Sequence, residues 1–380
     1  MSVYLDNAAT TPLDPAVLDA MLPYYRDNFG NPSSTHAHGR SARSAVETSR
    51  KTVAEILNTA PSNIYFTSGG TEGDNIAILG FIQTFGIEHV ISTRIEHHAV
   101  LHTLEALKTP EVCYLDLDAQ GNIDFDQLEG LLRDNPGSLV TLMHANNEIG
   151  NILDLERAGY ICREYGSYFH SDTVQSIGKY PLDLQKYPVH AAVGSAHKFH
   201  GPKGTGLLYL NAGGKIEPLI HGGGQERDIR PGTENVAGIV GLAKALEIAA
   251  HDMEKHSKLI SGLKEKMIRD LKATIPGIAF NGVSGNMEES LYTVLSINLP
   301  AKDKKNMVLF KLDLDHISVS GGSACASGAL KGSHVINEIH KGAENMTVRF
   351  SFSKYNTPDD VDHAVSSLRR ILDQVSLTRE

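Results

Sequence analysis

Short apolar runs alternate with longer amphipathic stretches through the first two thirds of the chain. Ile64-Tyr65-Phe66-Thr67, Val90-Ile91-Ser92, Leu139-Val140-Thr141-Leu142-Met143, Tyr168-Phe169-His170 and Ala191-Ala192-Val193-Gly194 read as buried strands. Helical stretches lie between them. One runs from Ser41 to Leu57 with apolar Val46, Val53, Ile56 and Leu57, and another from near Asp154 to Tyr165. Asp14-Pro15 reads as a helix start, with Asp as the cap and Pro in the first turn. Strands alternating with helices predict an α/β fold whose mostly parallel sheet is covered on both faces. A long helical pattern follows Gly232, from about Val236 past Leu271, with a break expected near His251-Asp252. The texture then changes. Thr293 to Ile297 and Thr347 to Ser351 are expected strands in an α+β tail, which closes with a helix from Pro358 to about Gln374. These shifts place a domain boundary near residue 255, with no internal repeat and no low-complexity segment.

Composition narrows the classes. A chain of 380 residues, 41% hydrophobic, is large enough for two domains. No apolar stretch approaches a membrane span. Met1-Ser2-Val3-Tyr4-Leu5-Asp6 lacks the basic and apolar regions of a signal peptide. Three scattered cysteines, Cys113, Cys162 and Cys325, argue against a disulfide framework and for a reducing compartment, so a cytoplasmic location is expected. A formal net charge of −10 argues against nucleic acid as a partner. There are 18 histidines but neither a Cys-x-x-Cys pair nor His-Glu-x-x-His, so no metal site is expected. Neither a Walker-type phosphate loop nor a dinucleotide Gly-x-Gly-x-x-Gly fingerprint stands in the right context.

The candidate chemistry collects where the predicted strands end, which is where open α/β sheets bind ligands. Ile64 to Thr67 runs into Ser68-Gly69-Gly70-Thr71-Glu72-Gly73-Asp74-Asn75, which opens a helix. Backbone N–H groups and the helix dipole there favour a phosphate, although many glycine turns bind nothing. Tyr168 to His170 ends in Ser171-Asp172, with Gln175 one turn on; by itself Asp172 reads equally well as a helix cap. Ala191 to Gly194 ends in Ser195-Ala196-His197-Lys198-Phe199. A lysine straight after a buried strand is an unusual place for a solvated charge. Burial lowers a lysine's pKa and makes it a nucleophile towards aldehydes. Ser195 and His197 offer donors beside it. A lysine, a carboxylate and a phosphate turn together suit pyridoxal phosphate, whose pyridine nitrogen is kept protonated by a paired carboxylate.

Cys325 stands in Ser318-Val319-Ser320-Gly321-Gly322-Ser323-Ala324-Cys325-Ala326-Ser327-Gly328, with no bulky side chain after Val319. Such a segment can swing, because glycine lifts the steric limits on the backbone. A thiol on a swinging arm suits a group that collects something at one place and delivers it at another. Taken alone, it also reads as a surface loop with an incidental cysteine.

The order of these motifs resembles the cysteine desulfurases of the NifS and IscS type, within the class V aminotransferases. The resemblance runs almost end to end. It includes Tyr4-Leu5-Asp6-Asn7-Ala8-Ala9-Thr10-Thr11-Pro12, Phe29-Gly30-Asn31-Pro32-Ser33-Ser34, Phe66-Thr67-Ser68-Gly69-Gly70-Thr71-Glu72 and Glu96-His97-His98-Ala99-Val100. Further along come His144-Ala145-Asn146-Asn147-Glu148-Ile149-Gly150, Asp172-Thr173-Val174-Gln175-Ser176-Ile177-Gly178-Lys179, Ser195 to Gly204 and Gly222-Gly223-Gly224-Gln225-Glu226-Arg227. The long segment between Cys325 and Arg349 resembles the NifS/IscS group more than the SufS-like group. The chain ends at Glu380 without the extended tail that some relatives use to dock a scaffold protein.

The resemblance implies a fold and a set of roles. The fold is the type I fold of pyridoxal-phosphate enzymes: a mostly parallel seven-stranded sheet in a large domain, 15–255, and a smaller α+β domain of 1–14 and 256–380 that carries the cysteine. Lys198 holds the cofactor and later moves the proton on the substrate's α-carbon. Asp172 pairs with the pyridine nitrogen and Gln175 hydrogen-bonds the phenolic oxygen. His97 stacks on the ring and serves as an acid/base, though taken alone it is an ordinary partly buried histidine. Gly70, Thr71, Ser195 and His197 bind the phosphate, joined by Thr233 from the neighbouring subunit of a homodimer. Asn147 and Arg349 hold the substrate carboxylate, a task that suits the planar guanidinium; alone, Arg349 reads as a surface strand arginine. Cys325 takes sulfur from L-cysteine as a persulfide, leaving alanine, and passes it to an acceptor such as an iron–sulfur scaffold. A plain class V aminotransferase, a selenocysteine lyase and an inactive scaffold on the same fold stay open as alternatives, and so does the destination of the sulfur.

Overall fold

A computed structural model describes residues 2–211, 216–299, 305–321, 332–341 and 346–377. Its strands are β1 (Val3–Tyr4), β2 (Ile64–Thr67), β3 (His89–Ser92), β4 (Glu111–Tyr114), β5 (Leu139–Thr141), β6 (Tyr168–Asp172), β7 (Ala191–Ser195), β8 (Gly206–Leu210), β9 (Ala279–Phe280), β10 (Val294–Leu299), β11 (Ile317–Ser318) and β12 (Met346–Ser351). Its helices are α1 (Pro15–Arg26), α2 (Ala37–Ile56), α3 (Gly70–Phe85), α4 (His98–Glu105), α5 (Phe125–Asp134), α6 (Leu155–Glu164), α7 (Val236–His251), α8 (Met253–Thr274), α9 (Lys305–Leu314), α10 (His334–Ile339) and α11 (Pro358–Leu377).

The main sheet has seven strands in the order β2-β8-β7-β6-β5-β3-β4. Strands β4, β3, β5, β6 and β7 run parallel, and β8 is antiparallel to both β2 and β7. The α/β, mostly parallel sheet expected from the sequence is therefore present. One apolar cluster on it includes Val53, Phe169 and Leu242, and another includes Phe81, Val193 and Leu208. Burial of both faces explains why β2, β6 and β7 read as apolar runs without alternation.

Two strands of the main sheet escaped the sequence pattern, as did the two-residue strands β1, β9 and β11 outside it. β4 is an edge strand that opens on exposed Glu111 and is only partly buried, so no apolar run marks it. β8 is wholly buried, but it follows a glycine-punctuated stretch and returns antiparallel, breaking the strand–helix rhythm.

Local signals elsewhere explain themselves. Asp14 caps α1 by accepting from Ala16 N at 2.9 Å, with Pro15 as the first helical residue. α2 begins at Ala37, before the expected Ser41, because His36 Nδ1 accepts from Gly39 N at 3.3 Å. The expected break falls at Asp252, between α7 and α8. A separate antiparallel sheet, β12-β10-β9, packs against α8 and α11 around Leu271, Leu295, Phe350 and Leu368.

The N-terminal segment joins these parts. β1 pairs with β11, and Asp6 bridges to Ser351 at the end of β12. The chain then crosses to the carboxyl end of β7. There Thr11 donates to His197 O from its N (2.9 Å) and its hydroxyl (2.8 Å), and Asp14 N donates to His200 O at 3.0 Å. Residues 6–14 thus strap the C-terminal sheet to the main sheet over the strand ends.

Candidate functional site

A cavity of about 220 Å³ lies at the carboxyl ends of β6 and β7 under this strap. Each element delivers a side chain for a local reason. β6 ends on Asp172, which is buried and accepts from Val174 N at 2.9 Å, closing a tight turn rather than capping a helix. That turn puts Gln175 on the cavity wall. β7 ends on Ser195, and the short 3-10 turn Ala196–Lys198 swings Lys198 back to the cavity. Lys198 Nζ donates to Ala8 O at 2.6 Å and Ala9 O at 2.8 Å, both in the strap. His197 Nδ1 lies 3.1 Å from Thr10 Oγ1.

The β2-to-α3 turn brings Gly70 and Thr71 to the same wall. A side chain at position 70 has no room: a Cβ there would lie 2.9 Å from Val174 Cγ2. The turn therefore presents bare backbone at a helix start, the arrangement that favours a phosphate. Glu72 anchors it, accepting from Ser68 N and from Arg230 Nε (2.9 Å).

His97 caps α4 through Nδ1, which accepts from Ala99 N at 3.1 Å and so leaves the proton of the neutral ring on Nε2. Burial pulls its pKa down, against the pull of Asp172. Burial pushes Asp172 up, opposed by His97, Val174 N–H and Lys198. His197 is driven down to about 4 by burial first and then by neighbouring lysines, so it is neutral at pH 7.

Arg349 enters from the opposite side, on β12. It is 1% exposed, far from the surface strand position that was one expectation. Its Nη1 donates to Asn147 O at 3.0 Å and its Nη2 to Asp6 Oδ1 at 2.7 Å. Its Nε has no partner among the described residues. Asn147 lines the cavity beside it. The site residues expected from the sequence thus meet in one place, with two exceptions. Thr233 is exposed and does not line this chain's own cavity. Cys325 lies outside the described residues.

Three features were not anticipated. The carbonyls of Ala8 and Ala9 are the strap's contribution to Lys198. Asp74, at the start of the second turn of α3, is buried on the cavity wall with neither oxygen hydrogen-bonded among the described residues, and His170 Nε2 is 3.4 Å away. Burial, then Asp172 and Glu96, push Asp74 well above the ordinary carboxylate range. Glu96, beside His97, is buried and held up at about 8. In sequence these acids look like first-turn or loop carboxylates, and nothing local marks their burial.

The donor set suits a phosphorylated aromatic aldehyde. It offers an amine for the aldehyde, a carboxylate for a ring nitrogen, a carboxamide for a hydroxyl oxygen and open backbone for a phosphate. The orphaned Arg349 Nε and the oxygens of Asp74 are buried polar groups of the kind that a ligand satisfies. Among the described residues no group of His, Cys, Asp and Glu is placed to hold a metal ion.

Comparison with known proteins agrees with this geometry. A family model described as Aminotransferase class-V matches residues 3–364. A cysteine desulfurase IscS of Dictyoglomus turgidum is 42% identical, over 98% of this chain and 95% of its own. A putative cysteine desulfurase, IscS 1 of Bacillus subtilis, is 39% identical over 98% and 99%. A solved NifS-like protein superposes with a TM-score of 0.90 at 37% identity, covering 98% of this chain and all of its own.

Proposed function

This chain belongs to the class-V aminotransferase family, as a cysteine desulfurase of the NifS/IscS type, and from that premise we propose how its cavity takes cofactor and substrate. Members of the family depend on pyridoxal phosphate. When bound, that cofactor supplies an aldehyde for a lysine and an electron sink for the substrate's α-carbon. The residues of this chain that would hold it are Lys198 for the aldehyde, Asp172 for the pyridine nitrogen and Gln175 for the phenolic oxygen. His97 covers the ring. Gly70, Thr71, Ser195 and His197 hold the phosphate, completed by Thr233 reaching across a homodimer.

The substrate is L-cysteine. Arg349 Nε and Asn147 take its carboxylate, and Lys198 Nζ moves the proton at its α-carbon. The thiolate of Cys325 attacks the sulfur. One S–S bond forms, the C–S bond breaks, and after protonation alanine leaves with the persulfide on Cys325. Only a thiolate accepts sulfur this way. A sulfur-accepting protein then removes it. The pairing of β1 with β11 and of Asp6 with Ser351 supports grouping residues 1–14 with 256–380 as a smaller domain beside 15–255. Among the described residues no helix is long and apolar enough to cross a membrane.

One observation carries the assignment: the amine of Lys198, buried Asp172 and buried Arg349, whose Nε has no partner among the described residues, face a single cavity. Purified protein is expected to be yellow with pyridoxal phosphate, and Lys198→Ala to lose both the colour and alanine release. Cys325→Ser is expected to keep the colour and lose turnover by orders of magnitude. A colourless protein that stays colourless with added cofactor refutes the cofactor site. Full turnover in Cys325→Ser refutes the persulfide.

A further inference from the structure

Lys179 stands one helical turn beyond Gln175, on the side of it away from the cavity. Its ammonium grips that one residue twice, donating to Gln175 O at 2.9 Å and to Gln175 Oε1 at 3.0 Å. An ammonium has donors and no acceptor. A carboxamide can present either end to a neighbour by a half-turn, and its hydrogen-bond partners decide which end faces where. A donor-only neighbour settles the matter. Oε1 must face Lys179, so Nε2 must face the cavity.

Nε2 spends one N–H on Ala8 O at 3.0 Å and keeps a second. Ala8 O is a shared anchor, since it also accepts from Lys198 Nζ at 2.6 Å. Once Lys198 engages an aldehyde, that corner is rearranged. The grip of Lys179 comes from the opposite edge of the carboxamide and persists through the change. Among the described residues no carboxylate is hydrogen-bonded to Lys179, and burial followed by the charge of Lys198 holds its amine down at about 7. Charged or neutral, the amine has N–H donors for both oxygens of Gln175, and these two hydrogen bonds name its task.

We propose that Lys179 is a positioning residue, fixing the carboxamide of Gln175 so that its N–H is offered to an acceptor oxygen of the bound ligand. This rests on the cofactor assignment above, in which that oxygen is the phenolic oxygen of pyridoxal phosphate. A ligand hydroxyl that stays protonated gains less there, because the carboxamide turns its donor and not its acceptor towards it.

The test is the uptake of pyridoxal phosphate by apoprotein, followed by titration of its absorbance, with the pH midpoint of the visible band as a second readout. Lys179→Met keeps the aliphatic stem and removes the donors. Affinity is expected to fall about tenfold, the size of one hydrogen bond to a charged group. Gln175→Ala is expected to weaken binding and to shift the midpoint in its own right. In the Gln175→Ala background, adding Lys179→Met should change neither quantity further, because residues that act through one another are not additive. An equal loss in both backgrounds means that Lys179 acts by charge or packing alone, and overturns the proposal. Should Lys179→Met fail to fold, Lys179→Arg and Lys179→Gln ask the same question. Arginine is donor-only and should retain affinity, glutamine can flip with its neighbour and should lose it, and equal affinities overturn the proposal. A wild type that takes up no pyridoxal phosphate refutes the cofactor site itself. A wild type that does, with Lys179→Met indistinguishable from it, refutes only the role of Lys179.

Discussion

Arg349 Nη2 and Asp6 Oδ1 lie 2.7 Å apart, so the guanidinium that faces the cavity is aimed by the N-terminal strap. Asn147 O takes Nη1 at 3.0 Å, and Nε is left for a ligand. The relationship explains why the chain's first residues run beside β12 before crossing to Lys198. Two segments more than 300 positions apart set one side chain.

Asp6→Asn keeps the shape of that contact and removes its charge. Hydrogen bonds involving charged groups are worth about 1.5–3 kcal/mol, so weakening this one is expected to raise KM for L-cysteine about tenfold. The rate constant kcat should move less, because Asp6 aims the arginine and does not touch the reacting atoms. Steady-state alanine release measures both constants. An unchanged KM would show that Arg349 holds its pose without Asp6. Arg349→Lys is expected to cost more in kcat/KM than Asp6→Asn, since an ammonium cannot reproduce the fork.

Glu96 gives the fold a pH dependence of defined sign. Its carboxyl is held up at about 8 against an ordinary 4.5, chiefly by burial. Between those values the folded state binds a proton that the unfolded chain has released. Stability from this group is therefore fully present below about pH 4.5 and is lost as pH rises towards 8. Its oxygens meet Met143 N at 2.8 Å and Thr93 Oγ1 at 2.9 Å. Thr93 Oγ1 donates to the carboxyl here; a carboxamide can accept from Met143 N and donate to the Thr93 hydroxyl once that hydroxyl turns. Glu96→Gln is thus expected to match the wild type at pH 5 and to exceed it at pH 9 by something on the order of 1 kcal/mol or more. Melting temperatures across that range measure the difference. An offset that is the same at every pH would contradict the assignment.

Legibility in the sequence followed the range of the physics. β2, β6 and β7 were visible because strands buried on both faces must be apolar throughout, and the polar residues that end them could then be placed together. Gly70, Asp172, Ser195 and Lys198 do line one cavity. β4 was hidden because an edge strand with Glu111 at its start has no such run, and β8 because it turns back antiparallel. Contacts made across the chain left no local mark at all. The hold of Ala8 and Ala9 on Lys198 joins residues about 190 positions apart, and the burial of Asp74 depends on β6 and His170. Arg349 looked like a surface residue because β12 alternates apolar Met346, Val348 and Phe350 with polar Thr347, Arg349 and Ser351, the pattern of a half-exposed strand, yet all six residues are buried.

Thr233 is the expected site residue that this chain does not bring to its own cavity. It is exposed, just past Gly232 at a φ of +104°, in the segment that leads to the Asn235 cap of α7. If it serves the partner's phosphate, every working site draws on two chains. Lys198→Ala and Thr233→Ala give a direct test. Each variant alone should be impaired, Lys198→Ala completely. After the two are unfolded and refolded together, a mixed dimer has one site with an intact lysine facing an intact threonine and one site with neither. Random pairing makes half of the dimers mixed, so about a quarter of all sites should regain full function. If Thr233 acts within its own chain, no pairing restores a complete site. Alanine release from the mixture, compared with each variant refolded by itself, separates the two cases. An absence of recovery, or full activity of Thr233→Ala alone, would remove Thr233 from the shared site.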